Sequence, residues 1–126
     1  EVLVGVVVNP SKESLFTTEI REEMLNEILA KSNNVQIKTF EGLLVDFAKA
    51  NKVQAIVKGL RAMTDFDYEF QMAQMNSNLA DFETIFIPAS PEYGYVSSSM
   101  VKEINSYGGD VTKLVPQNVF KRMNDV

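Results

Sequence analysis

The stretch Val2-Leu3-Val4-Gly5-Val6-Val7-Val8 decides the fold class. It is apolar without interruption, does not alternate with polar residues and is rich in β-branched valine. Such a run is typical of a strand buried on both faces, as in a parallel sheet. It is far shorter than the roughly 20 residues of a membrane-spanning helix, and it lacks the basic start and cleavage site of a signal peptide. We therefore expect a cytoplasmic protein with no membrane partner.

Helical and strand patterns alternate along the rest of the chain. Thr17 or Thr18 is the expected N-cap of a helix whose apolar positions, from Ile20 to Leu29, share one face. The later elements are a strand over 35–39, a helix over 43–50, a strand over 55–58 ended by Gly59, a helix capped by Asp65 and reaching about Leu79, a strand over 84–87, a helix capped by Ser97 or Ser98 and reaching about Tyr107, and a last helix opened by Pro116. The order β-α-β-α-β-α-β-α-α predicts an α/β fold with a parallel sheet and right-handed crossovers.

The composition excludes several classes of function. The chain has 126 residues, which fits one domain, and 12 Lys+Arg against 17 Asp+Glu give a net charge of −5, which argues against nucleic-acid binding. The absence of Cys and His removes thiolate nucleophiles, Ser-His triads and the usual zinc ligands, so we expect no metal site built from side chains. Positioning of a charged substrate by Lys, Arg and backbone amides remains possible.

Candidate binding residues follow the strands, because parallel sheets bind ligands beyond the carboxyl ends of their strands. Lys12 follows the first strand, as a ligand contact or a solvated loop lysine. Leu44 follows the second, as an apolar wall for a ligand or a core contact at a helix start. Lys58 and Arg61 flank Gly59 after the third, as anion-binding groups or as exposed surface cations.

The remaining candidate binding residues follow the third and fourth predicted strands. Glu69 can accept from a ribose hydroxyl or lie on a solvated helix face, and Tyr93 and Tyr95 can border a flat base. The serines at 97–99 precede a helix, where free N–H groups and the dipole favour an anion, although one serine is enough for capping. Lys102 near that helix start is disfavoured by the dipole unless an anion is close. A phosphate-rich ligand is indicated, without a P-loop or dinucleotide motif.

Five blocks of the sequence resemble bacterial phosphopantetheine adenylyltransferases, of the nucleotidyltransferase superfamily, and the likeness is collinear over nearly the whole chain. The blocks are VNPSK (Val8–Lys12), GLLVDFAK (Gly42–Lys49), IVKGLRAMTDFDYEFQMAQMN (Ile56–Asn76), SPEYGYVSSSMVKE (Ser90–Glu103) and GGDVTKLVP (Gly108–Pro116). The resemblance implies a Rossmann-like parallel sheet of strand order 3-2-1-4-5 with helices on both faces. It also implies a cytoplasmic homohexamer that converts ATP and 4′-phosphopantetheine to dephospho-coenzyme A and pyrophosphate, with Mg²⁺ bound mainly through the ATP phosphates and coenzyme A as a possible product-like ligand.

The same resemblance implies roles for individual residues. Lys12 matches the lysine that binds the substrate phosphate, Leu44 the pantetheine pocket and Lys58 a substrate-contacting basic position. The ATP-binding positions are matched by Gly59, Leu60, Arg61, Glu69, Tyr93, Gly94, Tyr95, Val96, Ser97, Ser98 and Ser99. Lys12 and Arg61 are the catalytic candidates. The attacking phosphate is already mostly ionised at neutral pH, since its second pKa is about 6, so catalysis rests on positioning two anions and stabilising charge.

One part of the family pattern has no counterpart in the chain. The family begins with a strand, a T-x-G-H or H-x-G-H loop bearing its transition-state histidine, and a helix. We therefore expect the chain to be an N-terminally incomplete nucleotidyltransferase-like domain over 1–126, with unpaired edges on the strands at 2–8 and 55–58. We also expect it to be poorly folded and inactive alone, which pyrophosphate release would test. The alternatives are a nucleotide- or coenzyme-A-binding module without catalysis and a flavodoxin-like or response-regulator-like interaction domain.

Overall fold

Four strands and five helices form the computed structural model, which describes residues 1–125. The strands are β1 (Val2–Val7), β2 (Val35–Phe40), β3 (Ala55–Leu60) and β4 (Glu83–Pro88). The helices are α1 (Thr18–Leu29), α2 (Leu44–Ala50), α3 (Met63–Ala80), α4 (Ser98–Ser106) and α5 (Gln117–Asn124). The strands pair in parallel, β1 with β2 and β3 with β4, so the predicted α/β class is confirmed.

Among the described residues the strands join in pairs and leave the unpaired edges that we expected on β1 and β3. In the part of the chain that the structure describes, they form two separate two-stranded sheets, so β1 and β3 each have one hydrogen-bonded neighbour. The family order 3-2-1-4-5 uses the family's own strand numbers and not the labels of this chain. On either side of its central strand, that order implies the two pairings seen here. Val6 is buried, whereas Val2 and Val7 are 52% and 39% exposed. The prediction that β1 is buried on both faces was therefore wrong.

The chain forms two compact units. The terminal unit contains Glu1–Glu41 and the chain from Val96 onward, and the central unit is Gly42–Tyr95. In the terminal unit, α1 packs against both strands and against α5. Its buried cluster consists of Val101, Val111 and Met123, and partly buried apolar side chains including Phe16 and Val119 pack around it. Burying each such side chain contributes about 1.5–3 kcal/mol, so this cluster holds α4 and α5 in the unit.

The central unit is built around helix α3, which packs against β3, β4 and α2. The ring of Phe66 stacks on that of Phe70, with centroids 5.4 Å apart, and meets the edge of Phe86 at 5.9 Å. Such aromatic pairs contribute about 0.5–1.5 kcal/mol beyond their buried area. They fix the start of α3 against β4, next to the end of β3.

Three predicted boundaries were wrong. Gly59 lies inside β3 and does not end it, because residues 58–60 continue the ladder opposite Phe86 to Pro88 of β4. Asp65 is not the N-cap of α3, since Ala62 holds that position and Asp65 lies in the first turn. Pro116 is the N-cap of α5 and not its first helical residue.

None of the helices within residues 1–125 has both the length and the hydropathy that a membrane span requires.

Candidate functional site

The loop after β1 presents Lys12 from a turn organised by Asn9. The Asn9 side-chain oxygen accepts from the backbone N–H of Ser11 at 3.1 Å and from its hydroxyl at 2.7 Å. The backbone N–H of Lys12 donates to the carbonyl of Asn9 at 3.2 Å, which closes the turn. An asparagine that bonds its own backbone two residues on is a common local way of shaping a turn. The Lys12 side chain is left exposed, with no ion pair to any of residues 1–125.

The serines at 97–99 have different positions at the start of α4. The Ser97 hydroxyl accepts from the backbone N–H of Met100 at 3.2 Å and caps the helix. Ser98 and Ser99 are exposed in the first turn, and Ser98 lines a cleft. One serine therefore satisfies the helix. Ser98 adds a hydroxyl that has no hydrogen-bond partner within residues 1–125, where backbone N–H groups and the helix dipole already favour an anion.

That cleft lies within the terminal unit and has a volume of about 450 Å³. Its floor is apolar and includes Val101 and Met123 of the buried cluster. Its charged lining residues are Lys12, Arg21, Lys102 and Glu13. Three cations against one carboxylate, in a chain of net charge −5, make this a local positive site beside the start of α4. An anionic group attached to an apolar arm would match both parts of the cleft.

In the central unit, Lys58 of β3 faces Glu69 of α3. The Lys58 Nζ lies 3.4 Å from a carboxylate oxygen of Glu69, and both side chains are partly exposed. A pair of this kind contributes about 0–1 kcal/mol, so a ligand can displace it at little cost. Glu69, predicted to contact ATP, therefore has a protein partner in this structure.

Arg61 follows β3 and is held by Asp65. The Asp65 carboxylate accepts from the Arg61 backbone N–H at 3.0 Å, from Nε at 3.1 Å and from Nη2 at 3.3 Å. Hydrogen bonds from the Arg61 side chain and backbone hold the pKa of the Asp65 carboxyl below its usual value. The guanidinium is therefore oriented just beyond the end of β3, two positions after Gly59, where a Cβ would meet no atom of residues 1–125 within 4 Å. Open space beside a glycine lets a ligand approach the backbone closely.

The comparisons with known proteins agree on one family. The profile of the Cytidylyltransferase-like family matches residues 1–104. The phosphopantetheine adenylyltransferase of Streptomyces coelicolor is 50% identical over 125 residues, covering 99% of this chain and 79% of the relative. The chain belongs to the phosphopantetheine adenylyltransferase family. The proteins of that name from Thermobifida fusca and Frankia alni are 50% and 48% identical, over 98% and 99% of this chain and 75% and 80% of their own lengths.

The site residues predicted for this member of the phosphopantetheine adenylyltransferase family fall into two groups, one in each unit. Lys12, Val96 and Ser98 line the cleft of the terminal unit. Lys58, Gly59, Leu60, Arg61 and Glu69 lie together at the end of β3 and the start of α3 in the central unit. Ser97 caps α4, and Ser99 is exposed beside it but does not line the cleft.

The other predicted residues lie in the central unit. Leu44 is the first residue of α2 and is half-buried. Tyr93 and Tyr95 are 51% and 63% exposed, on either side of Gly94, in the turn after β4. A hydrogen bond with Glu92, and its charge, raise the pKa of Tyr93. These rings are available to a flat ligand.

Two features of this family member were not found from the sequence. Arg21 lines the cleft, whereas the sequence indicated only that it lies in a helix. Asp65 orients Arg61, whereas the sequence indicated only a helix cap. For Asp65 the available signal was its opposite charge to Arg61, four residues before it. For Arg21 the pattern carried no such signal. Within residues 1–125 no three carboxylates lie close enough together to hold a metal ion.

Proposed function

We propose that this protein catalyses adenylyl transfer from ATP to 4′-phosphopantetheine, giving dephospho-coenzyme A and pyrophosphate in coenzyme A synthesis. The observation that carries the proposal is about 50% identity, over nearly the whole chain, to relatives named phosphopantetheine adenylyltransferase. The positive cleft of the terminal unit supports it, since phosphopantetheine combines a phosphate with a long, partly apolar arm.

The reaction needs positioning more than proton transfer. A phosphate oxygen of phosphopantetheine attacks the α-phosphorus of ATP and forms a new P–O bond. The bond from that phosphorus to the bridging oxygen breaks, and pyrophosphate leaves with the electron pair. Because the attacking phosphate has a second pKa of about 6, it is mostly ionised at neutral pH. No side chain has to remove a proton.

Two cations carry the main roles in this proposal. Lys12 binds the phosphate of phosphopantetheine, because it is unpaired within residues 1–125 and lies in the positive cleft. Arg61 binds the phosphates of ATP, with the open backbone at Gly59 next to it. Fixed positive groups of this kind lower the barrier by holding reactants and stabilising developing charge.

The other site residues have supporting roles. Lys58 contacts phosphopantetheine and Leu44 its apolar arm. Glu69 contacts ATP after the ligand displaces it from Lys58. Tyr93, Gly94 and Tyr95 of the central unit, with their two exposed rings, contact the nucleotide. Val96, Ser97, Ser98 and Ser99, at the start of α4 in the terminal unit, are assigned the same role.

Mg²⁺, the oligomer and the compartment complete the proposal. Mg²⁺ would be held mainly by the phosphates of ATP, and the chemistry it would supply there is neutralisation of phosphate charge. We also propose a homohexamer in the cytoplasm, which light scattering after size-exclusion chromatography and cell fractionation would test. Coenzyme A is a candidate competitor of phosphopantetheine because it contains the same arm.

The test is product formation by the purified full-length protein with ATP, Mg²⁺ and 4′-phosphopantetheine. Mass spectrometry follows dephospho-coenzyme A, and a coupled assay follows pyrophosphate in equal amount. Arg61→Glu should abolish turnover and ATP binding, whereas Lys31→Gln, a charge change outside the cleft, should change neither.

Other outcomes separate the alternatives. ATP binding without either product would favour a binding module, which the names of the relatives do not support. Unchanged behaviour of the Arg61→Glu variant, with no ATP binding in the parent, would favour an interaction domain.

A further inference from the structure

Arg21 connects the two ends of the loop that carries Lys12. It lies in α1, and its Nη1 donates to the backbone carbonyl of Val7, the last residue of β1, at 3.3 Å. Fourteen positions separate the two residues, and the whole loop with Lys12 lies between them. The Arg21 side chain also lines the same cleft as Lys12.

Among the described residues this loop is also restrained by backbone and side-chain hydrogen bonds and by Phe16, which packs on the buried cluster. The Asn9 turn fixes residues 9–12 relative to one another but not to the helix. Thr17 caps α1, accepting from the backbone N–H of Ile20 at 3.4 Å. At the strand end, the backbone N–H of Val8 donates to the carbonyl of Phe40 at 2.8 Å. The bond from Arg21 is a charged contact that joins the end of β1 to the start of α1, beside the bond at 2.6 Å by which the Thr39 hydroxyl of β2 donates to the Glu22 carboxylate of α1.

A hydrogen bond from a charged donor is stronger than one between neutral groups, and this one acts at the base of a loop. Lys12 projects from that loop without an ion pair to any described residue, so nothing charged in the part of the chain the structure describes fixes its head group. Its position therefore depends on the backbone from which it projects. A displacement of about 1 Å at a positioning group can cost up to about 100-fold in rate.

We propose that Arg21 is a positioning residue for Lys12: it ties the end of β1 to α1 and so sets where the Lys12 ammonium meets the substrate phosphate. The proposal rests on the proposed function, because that function gives Lys12 its phosphate. Arg21 acts through the loop, and the phosphate is bound by Lys12.

A double-mutant cycle on the full-length protein tests this. The variants are Lys12→Ala, Arg21→Gln, the two combined, and the conservative Arg21→Lys. Lys31→Gln, just beyond α1 and outside the cleft, is the charge-matched control. The measurements are kcat and KM for each substrate, with melting temperature and circular dichroism to exclude unfolding.

Arg21→Gln should raise the KM for phosphopantetheine, or lower the corresponding kcat/KM, by roughly tenfold, a size typical of coupled neighbours. The KM for ATP should change less than about twofold. In the K12A background, R21Q should add less than about twofold, because the lysine it positions is absent. Arg21→Lys keeps a charged donor and should recover part of the loss.

Equal effects of R21Q with and without Lys12 would overturn the proposal, as would equal losses for both substrates. A separate measurement keeps it distinct from the proposed function. Amide hydrogen exchange at Ser11 and Lys12 should accelerate in R21Q and stay unchanged in K31Q. Faster exchange in a protein that makes no dephospho-coenzyme A would leave the loop role standing and refute the function, whereas unchanged exchange would refute the loop role.

Discussion

The carboxylate of Asp65 holds Arg61 by both its backbone and its side chain, with Nε and Oδ2 3.1 Å apart. Asp65 lies in the first turn of α3 and Arg61 just before its N-cap Ala62, so the turn between β3 and α3 brings the two together. An arginine held by a fixed partner loses less conformational freedom when it binds an anion than a free one does. Asp65 therefore prepares Arg61 for the phosphates that we assign to it.

Asp65→Ala should weaken ATP binding by about three- to tenfold, since one oriented side chain costs about 0.5–1.5 kcal/mol to immobilise on binding. Isothermal titration calorimetry with ATP measures this. Asp67→Ala removes an exposed carboxylate from the same helix and serves as the control for net charge. Tighter ATP binding in D65A would mean that Asp65 competes with the ligand for Arg61.

Gly59→Ala should separate protein stability from ligand contact. A Cβ at this position meets no atom within 4 Å, and alanine restricts the unfolded chain more than glycine does. We expect the melting temperature to be unchanged or slightly higher. If ATP approaches the backbone here, its affinity should fall by about tenfold or more, the effect of a lost or strained contact of about 1.4 kcal/mol. Unchanged ATP affinity would place the nucleotide elsewhere.

Periodic patterns predicted most of the fold, and contacts distant in sequence explain most of the errors. The apolar run at β1 and the alternation of elements depend on local spacing, and they gave the parallel α/β class correctly. Gly59 was expected to end β3 because glycine disfavours strands, yet the ladder to Ile87 of β4 carries the strand through it. Arg21 could not be found from a pattern, since its bond to Val7 depends on how α1 packs on β1.

The serines at the start of α4 should respond differently to substitution. Ser97→Ala removes the cap that accepts from Met100 and should destabilise the protein by about 1 kcal/mol. Ser98→Ala removes a hydroxyl that lines the cleft and should leave the melting temperature unchanged. Ser98→Ala should weaken ATP binding severalfold, because the loss of one hydrogen bond costs about 0.5–1.5 kcal/mol. Thermal unfolding with and without ligand distinguishes the two, and equal melting temperatures for both variants would contradict the division.

Acid should loosen the contact between α1 and α5 through Glu27. Its carboxylate accepts from Asn118 at 2.8 Å and from Arg122 at 2.7 Å, and these bonds lower the pKa of Glu27. A carboxyl whose pKa is lower in the folded state stabilises the fold above its unfolded pKa of about 4.3. That stabilisation disappears as the pH falls through the folded pKa.

The melting temperature of Glu27→Gln should therefore lie slightly below that of the parent at pH 7, and the two should converge below about pH 4. Calorimetry across this range measures the difference. Glu41→Gln, at an exposed carboxylate in the terminal unit outside any element, is the control for the loss of one carboxylate. A constant gap between E27Q and the parent at every pH would show that the glutamate acts by packing and not by charge.

Gly109 is needed because Ile104 occupies the space where its Cβ would lie. An added Cβ would come within 2.5 Å of Ile104 Cγ2 and 3.1 Å of its carbonyl oxygen. Gly109→Ala should cost about 1–3 kcal/mol by overpacking. Ile104→Ala should cost about 2–5 kcal/mol, because Ile104 packs on the cluster around Val111.

The double variant should cost less than the sum of the two, since removing Cγ2 relieves the closer contact. Urea unfolding measures all three, and Gly59→Ala provides a glycine substitution without steric conflict. Strict additivity would mean that the backbone carbonyl of Ile104, and not its side chain, excludes every residue but glycine here.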